Sequence, residues 1–265
     1  MYIFQSRFIV IQTIYLLNII ISIWYILNFE FTLYSFLIVS IIFLLMNPLG
    51  IAIVYHRFWS HKSFKFKNDL LKYFCTIPPM ISCVGSVLGW VGMHRSHHVH
   101  SDKDNDPHMA SKGYLNMFFM TSYDYKPNPR HVIDLLRNKF ILITHNYYFT
   151  IPLIYAVFCY LMFGIHGLVL GFCMPAGISL ITQNTTNYVN HKGSVQFEPT
   201  NVIWINILNA GDGWHKNHHE NPRSYTTQKE WWQLDIAGLI IKHLLAKSVI
   251  NYNHYEQKKI RVPSY

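Results

Sequence analysis

Nine histidines in this sequence have spacings that suit metal binding. The spacing H-x-x-H-H occurs twice, at His94, His97 and His98 and again at His215, His218 and His219. Residues three or four positions apart lie on one face of a helix, so each cluster can present three imidazoles to the same side. Neutral imidazole is a common metal ligand, and each cluster therefore predicts half of a metal site.

Two further groups complete the set. His56 and His61, in HRFWSH, follow one long apolar run, whereas Asn187 and His191 follow another. Nine imidazoles are too many for one ion, but two ions with four or five ligands each would use them all. Asn187 would then bind directly or through water. Imidazole suits iron, zinc, copper and nickel, so the spacing does not select the metal. The lack of carboxylates within these groups separates them from the Glu-based di-iron sites of soluble bundles.

The composition is that of a membrane protein. Of the 265 residues, 51% are hydrophobic and 13% are charged, which is about half the charged share of an ordinary soluble domain. The four cysteines form no C-x-x-C pair, so they indicate neither a disulfide framework nor a zinc or iron–sulfur motif. We expect no nucleic-acid partner.

Four uncharged apolar runs are long enough to cross a bilayer as helices. They predict two hairpins, residues 8–28 with 31–55 and residues 140–163 with 165–182, the second pair joined at Gly164. The segments between and after them, 56–139 and 183–265, hold 12 and 9 of the 22 Lys and Arg residues, and the hairpin turns hold none. The positive-inside tendency therefore places both segments, and every histidine group, on the cytoplasmic side.

A fifth uncharged run, residues 73–93, is also long enough to cross a bilayer. A crossing there would put His56 on the opposite side of the membrane from His94 and would break the asymmetry of the basic residues. We therefore predict an interfacial or re-entrant segment, kinked at Pro78 and Pro79. The predicted fold is a single all-α integral membrane domain over residues 1–265, with four transmembrane helices and a cytoplasmic helical cap that carries the histidines.

The chain resembles the membrane-bound fatty acid desaturases, in the branch of the stearoyl-CoA and bacterial acyl-lipid Δ9 enzymes. The resemblance rests on HRFWSH at 56–61, HRSHH at 94–98 with DNDPH at 104–108, N-x-x-x-H at 187–191 and GDGWHKNHHENPRS at 211–224. It implies a di-iron centre in which Asn187 contributes through water. The histidine ligands that it implies are His56, His61, His94, His97, His98, His191, His215, His218 and His219. It implies no catalytic residue beyond these ligands, and the substrate-binding residues stay unknown.

The implied reaction inserts a cis double bond at Δ9 of a saturated acyl chain, with O2 and two electrons. The chain contains no haem domain, nucleotide-binding motif or iron–sulfur motif that could supply the electrons. We therefore expect a separate donor such as ferredoxin or cytochrome b5, which a basic face would attract, although membrane lipids explain the same charge. Gly92 and Met93 stand where the acyl-CoA branch commonly has a charged pair, which favours an acyl-lipid substrate while acyl-CoA remains possible.

Other functions fit the same histidines. A membrane di-iron hydroxylase would insert oxygen into the chain, and a metal transporter or sensor, or a purely structural metalloprotein, would perform no such chemistry. Four aspartates near the histidines are expected to hydrogen-bond the ligand imidazoles or to play simple solvated or capping roles: Asp102, Asp104, Asp106 and Asp212. The remaining histidines are expected to be ordinary packing or interface residues, namely His100, His108, His131, His145, His166, His243 and His254. Trp231 and Trp232 are expected to be interface anchors or packing residues.

Overall fold

The computed structural model describes residues 2–119, 128–193 and 196–251. His254 and parts of the predicted cytoplasmic segments, residues 120–127, 194–195 and 252–265, lie outside the described residues. The described chain is mostly helical. Its helices are α1 (Tyr2–Asn28), α2 (Leu33–Ser60), α3 (Asp69–Ile81), α4 (Val87–His100), α5 (Tyr114–Phe119), α6 (Lys139–Asn146), α7 (Thr150–Asn190), α8 (Ile203–Leu208), α9 (His215–Glu220) and α10 (Ile236–Leu245).

Three helices of the described chain are long and apolar enough to cross a membrane. They are Val10–Asn28 of α1, all of α2 and all of α7, with mean hydropathies of 2.0, 2.6 and 2.1. Much of their surface is apolar and exposed, as at Leu27, which is 78% exposed, and Leu161, which is 74% exposed. Such a surface suits contact with lipid, because an exposed apolar face is costly in water.

Helix α7 is interrupted at Gly164, where the second predicted hairpin turns. Gly164 has φ 61° and ψ −149°, a conformation outside the helical region that glycine adopts without a side-chain clash. The predicted run 140–163 was wrong at its start, because it is divided between α6 and α7 by a turn at residues 147–149. Pro152 explains the new start, since it lies in the first turn of α7, where a missing N–H costs no helical hydrogen bond.

Helix α2 extends to Ser60, five residues past the end of the predicted run 31–55. Its second half, Leu45–Ser60, is a π-helix, in which each N–H bonds to the carbonyl five residues before it. His56 therefore lies within the helix and not in the segment after it.

The fifth apolar run forms two helices, α3 and α4, and no single helix crosses its length. Pro78 and Pro79, where a kink is predicted, lie inside α3, and the helix ends a few residues later at a break over residues 82–86. Gly85, with φ 109°, lies in this break. Its carbonyl accepts a hydrogen bond from Tyr55 Oη at 3.1 Å, and its N–H donates to Tyr148 Oη at 2.9 Å. Two buried tyrosines thus fix the position of the backbone just before α4.

The main core lies where α2, α3 and α4 meet, around Ile53, Met80 and Val91, which are fully buried. Two short antiparallel strands, β1 (Phe64–Phe66) and β2 (Ala246–Val249), close it from the side. The pairing of Phe64 with Val249 returns the chain after α10 to the end of α2. The histidines at the end of α2 and those of α9 are therefore held to the same core.

Candidate metal centre

All nine predicted histidine ligands converge into two adjacent groups. The first group is His56, His61, His94, His98 and His218, and the second group is His97, His191, His215 and His219. Within each group the candidate ligand nitrogens all lie within 4.8 Å of one another. The groups are neighbours, since the rings of His98 and His219 stack with centroids 4.4 Å apart. The structure therefore divides the nine imidazoles into five and four, a division that the sequence did not reveal.

The π-helical end of α2 aligns His56 with His61. In an α-helix, five residues at about 100° each would turn these side chains about 140° apart. The N–H of His61 instead bonds to the carbonyl of His56 at 3.2 Å, which is the five-residue bond of a π-helix. The wider turn brings both rings to the same side, with centroids 5.1 Å apart. The π-helical end of α2 thus places both imidazoles in the first histidine group.

Helices α4 and α9 each supply both groups. On α4, His94 and His98 are four residues apart and join the first group, whereas His97 turns toward the second. On α9 the roles are exchanged, because the four-residue pair His215 and His219 joins the second group. His218 joins the first group, and its Nε2 lies 3.0 Å from Nε2 of His98. The repeated H-x-x-H-H spacing is what allows each helix to serve two sites.

Three aspartates orient the imidazoles. Asp212 pairs with Nδ1 of His56 at 3.3 Å, Asp106 with Nδ1 of His97 at 2.8 Å, and Asp102 with Nδ1 of His191 at 2.9 Å. The prediction of imidazole partners is confirmed for these three, whereas Asp104 is exposed and fits the alternative prediction of a solvated side chain. A carboxylate at Nδ1 keeps the proton on that atom, so Nε2 presents its lone pair to the centre of its group.

The inward nitrogens are arranged as metal ligands are. Nε2 of His56 lies 2.8 Å from that of His218, and Nε2 of His191 lies 2.9 Å from that of His215. Imidazole nitrogens bind a first-row ion at about 2.0–2.1 Å, which places ligands at right angles about 3 Å apart. With the protons of His56 and His191 held on Nδ1, the Nε2 lone pairs of these two rings point at the neighbouring Nε2 atoms, and a cation placed between the nitrogens could bind all of them at once. The donor set therefore fits two metal ions.

Burial favours the neutral form of six of these imidazoles. Loss of solvent lowers the pKa of His61, His94 and His98 well below the ordinary value, and the other nearby histidines lower it further. The same causes lower the pKa of His215, His218 and His219. Asp106 differs, because burial raises its pKa while His97 lowers it more, to about 2. Neutral rings beside ionised carboxylates are the protonation states that metal binding requires.

Two buried arginines, which the sequence analysis missed, hold the histidine segments together. Arg57, 1% exposed, pairs with Asp235 at 2.8 Å and with Asp212 at 3.3 Å. Arg57 thus joins α2 to the aspartate that orients His56 and to the start of α10. Gly211 makes room for this pairing, since a Cβ there would lie 2.0 Å from Oδ1 of Asp235. The available signal was an arginine between two predicted ligands, in an otherwise uncharged helix.

Arg95 plays a similar part on α4. It donates to the carbonyls of Trp59 and Ser60 at 2.8 and 2.9 Å, and it pairs with Asp134 at 2.7 Å. These bonds satisfy the last carbonyls of α2, which have no helical partner. Arg95 therefore fixes the end of α2 against α4, which carries three of the histidines.

An apolar cavity opens beside the first histidine group. It lies between α1, α4, α6 and α7, and Ile11, Trp90, Met93 and Leu180 line it together with His94. Asn187 also lines this cavity but belongs to neither histidine group, so its predicted role as a ligand stays a prediction. The apolar lining of the cavity therefore adjoins His94, one of the candidate ligands of the first group.

The histidines predicted to play no part in metal binding lie outside both groups where the structure describes them. His108 comes nearest to the groups, since its ring lies 5.6 Å from that of His97 and it also lines the cavity. Nδ1 of His145, another cavity residue, lies 2.6 Å from Oγ of Ser86.

Comparison with known sequences gives one consistent result. The profile described as Fatty acid desaturase matches residues 32–256. The chain is 29% identical over 227 residues to an sn-2 palmitoyl-lipid 9-desaturase of Nostoc sp. (strain 36), covering 78% of each chain. It is 31% identical to Delta-9 acyl-lipid desaturase 1 of Arabidopsis thaliana, over 82% of this chain and 74% of the relative. A probable acyl-CoA desaturase of Schizosaccharomyces pombe is 30% identical, over 77% of this chain and 46% of the relative.

Proposed function

Because this chain belongs to the fatty acid desaturase family, we propose that it introduces a cis double bond at Δ9 of a lipid-linked saturated acyl chain. It is a fatty acyl desaturase and hence an oxidoreductase. The observation that carries the proposal is the pair of histidine groups, of five and four rings, beside an apolar cavity.

In this proposal each histidine group holds one iron ion, and Asn187 contributes through a water molecule. When bound, the two irons would supply the O2-dependent oxidising power for removing hydrogen from an unactivated methylene, which no side chain can supply. Asp212, Asp106 and Asp102 hold protons on the Nδ1 atoms of their histidines and so keep each Nε2 free. The buried pairs of Arg57 and Arg95 keep the histidine segments in register.

The proposed reaction balances with one O2, two electrons and two protons. Two neighbouring methylenes each lose one hydrogen atom, and these combine with the two electrons and two protons to reduce O2 to two waters. The acyl chain is thereby oxidised by two electrons. The chain's own residues contribute by position, because the cavity would hold a chosen pair of carbons beside the histidine groups.

An acyl-lipid substrate is favoured over acyl-CoA. The relatives from Nostoc and Arabidopsis are both named for acyl-lipid substrates. Gly92 and Met93 precede His94, where a charged pair would suit a CoA headgroup. Met93 instead lines the apolar cavity. The relative from S. pombe is named for acyl-CoA. Brief labelling, which shows whether the product appears first in lipid or in acyl-CoA, therefore decides which molecule carries the acyl chain.

The proposed membrane arrangement has four spans with the histidines on the cytoplasmic side. Helix α7 has 41 residues, which is about 60 Å of helix and about twice the thickness of the hydrocarbon core. The break at Gly164 therefore supports a turn between two spans. Helix α3 exposes Leu70, Phe74 and Ile77 along one side, as an interfacial helix would. A separate electron donor, a ferredoxin or cytochrome b5, would approach the basic cytoplasmic segments.

Expression in a host that lacks its own desaturase tests the function. We expect a new cis-Δ9 monounsaturated fatty acid, enriched in membrane lipids after brief labelling and absent with His218→Ala. A hydroxylated acyl chain as the main product would instead establish the hydroxylase. Labelling that appears first in acyl-CoA would overturn the acyl-lipid assignment while leaving desaturation intact. Iron bound without an O2-dependent product, even with reductant supplied, would contradict the proposed function altogether.

A further inference from the structure

Two segments near the metal centre have their apolar side chains outside and their polar side chains inside. In the sequence WWQLDI at 231–236, Gln233 and Asp235 are 5% and 3% exposed, whereas Trp231 and Leu234 are 89% and 55% exposed. Helix α8 exposes Ile203, Trp204 and Ile207 and buries Asn206, at 7% exposure, beside the buried Ile205. Water-soluble surfaces show the opposite arrangement, so these segments are built to contact an apolar environment.

The two segments form one surface. The carbonyl of Leu234 accepts hydrogen bonds from Asn206 Nδ2 at 2.8 Å and from Trp214 Nε1 at 2.9 Å. The ring of Trp232 also packs edge-on against Trp214, with centroids 5.4 Å apart. The exposed side chains that define this outward apolar surface are Ile203, Trp204, Ile207, Trp231, Trp232 and Leu234.

We infer that the outward apolar surface lies in the cytoplasmic interface of the lipid bilayer. Three of its six side chains are tryptophans, which concentrate at the boundary between lipid and water. Residues 203–208 and 231–236 expose no charged side chain, because their one charged residue, Asp235, is buried. An electron-donor protein attracted by basic charge would find no partner on such a surface, whereas lipid would.

The position of the surface favours the same occupant. Asn209, directly after α8, accepts a hydrogen bond from Asn47 of α2 at 2.7 Å and donates to Thr186 of α7. Both helices are candidate membrane spans. The outward apolar surface is therefore attached directly to two helices that would cross the bilayer.

The inner side of the surface supports the metal centre. Asp235 pairs with Arg57, which neighbours His56, and Gln233 accepts a hydrogen bond from Asn217, which neighbours His218, at 2.8 Å. A segment that contacts lipid on one side and holds histidine segments on the other fixes the depth of the histidine groups relative to the leaflet. That depth sets how far an acyl chain must rise to reach them.

Spin labels on the full-length protein in phosphatidylcholine vesicles test this inference. Labels would replace Ile207 and Trp231 as Ile207→Cys and Trp231→Cys. Leu37→Cys on α2 provides the reference for lipid, and Glu230→Cys, an exposed neighbour of Trp231, provides the reference for water. The unsubstituted protein corrects for labelling of its own cysteines, of which three are buried and Cys75 is partly buried.

Collision with O2, which concentrates in lipid, is compared with collision with a polar nickel chelate, which stays in water. We expect the labels at Ile207 and Trp231 to lie between the two references, with collisions shifted toward O2 and away from nickel relative to the label at Glu230. Labels that match Glu230 would overturn the inference. Labels shielded from both reagents and broadened by label–label coupling would also overturn it, in favour of a second copy of the chain. If the label at Leu37 itself collided with nickel, α2 would not lie in the membrane, and the inference would be overturned as well.

Discussion

Nη1 of Arg57 lies 2.8 Å from Oδ2 of Asp235, with both side chains 1% exposed, and the two residues are 178 positions apart in the chain. This pair locks the end of α2 to the segment before α10, beside His56. A buried charge left without its partner is strongly destabilising, because neither water nor another ion replaces the lost interaction.

We therefore expect Asp235→Asn to lower the free energy of unfolding by about 3 kcal/mol. Asparagine keeps the shape and removes the charge, leaving Asp212 as the remaining carboxylate beside Arg57. Thermal unfolding in detergent measures the change. Asp69→Asn is the matched control, since its ion pair with Lys72 lies at the surface and is worth at most about 1 kcal/mol. Equal midpoints for the two variants would show that the buried pair does not hold the fold.

Asp104 and Asp106 offer a test of imidazole orientation within one loop. Asp106 is buried and bonds Nδ1 of His97 at 2.8 Å, whereas Asp104 is exposed. Partners of this kind typically contribute a factor of about 10–100 in metal affinity. We expect Asp106→Asn to release iron to a chelator at correspondingly lower concentration, while Asp104→Asn behaves as the parent protein. Identical chelator curves for the two variants would argue that His97 does not bind metal.

The pair of Arg95 with Asp134 predicts an acid-dependent loss of stability. Burial raises the pKa of Asp134, but hydrogen bonds from Arg95 and Lys62 lower it more, to about 2 from its usual 3.8. The folded state thus binds this proton less readily than the unfolded chain does. The stabilisation is complete above the usual value and is lost as the pH falls from about 4 to about 2. Asp134→Asn should remove this part of the acid response, as measured by unfolding midpoints across that range. A parent and variant with parallel pH curves would contradict the assignment.

The sequence predicted the parts of the site that depend on local spacing. H-x-x-H-H places three rings on one helical face whatever the rest of the fold does, and uncharged runs of about 20 residues mark membrane helices. The distribution of the nine rings into five and four depended on how α4 and α9 face each other, which spacing does not encode. The alignment of His56 with His61 required a π-helix, and no sequence pattern distinguished it from an α-helix. The pair of Arg57 and Asp235 depended on contact between distant segments.

The division into two histidine groups predicts how single substitutions affect metal content. His97 belongs to the group of four, and His218 belongs to the group of five. We expect His97→Ala and His218→Ala each to abolish turnover and to lose roughly half of the bound iron, because each change removes a ligand from one ion and spares the other. The number of iron ions per protein chain, obtained by measuring iron and protein on the same purified sample, tests this expectation.

His131 provides the matched control. It is 7% exposed, so its replacement removes a buried imidazole as well, yet its ring belongs to neither group. Its link to the site is its backbone carbonyl, which accepts a hydrogen bond from Arg95 at 2.6 Å and survives substitution. We expect His131→Ala to keep its iron and turnover while losing some stability. Full iron content in His97→Ala would refute the group of four, and equal iron loss in His131→Ala would mean that the losses reflect general destabilisation, not ligand removal.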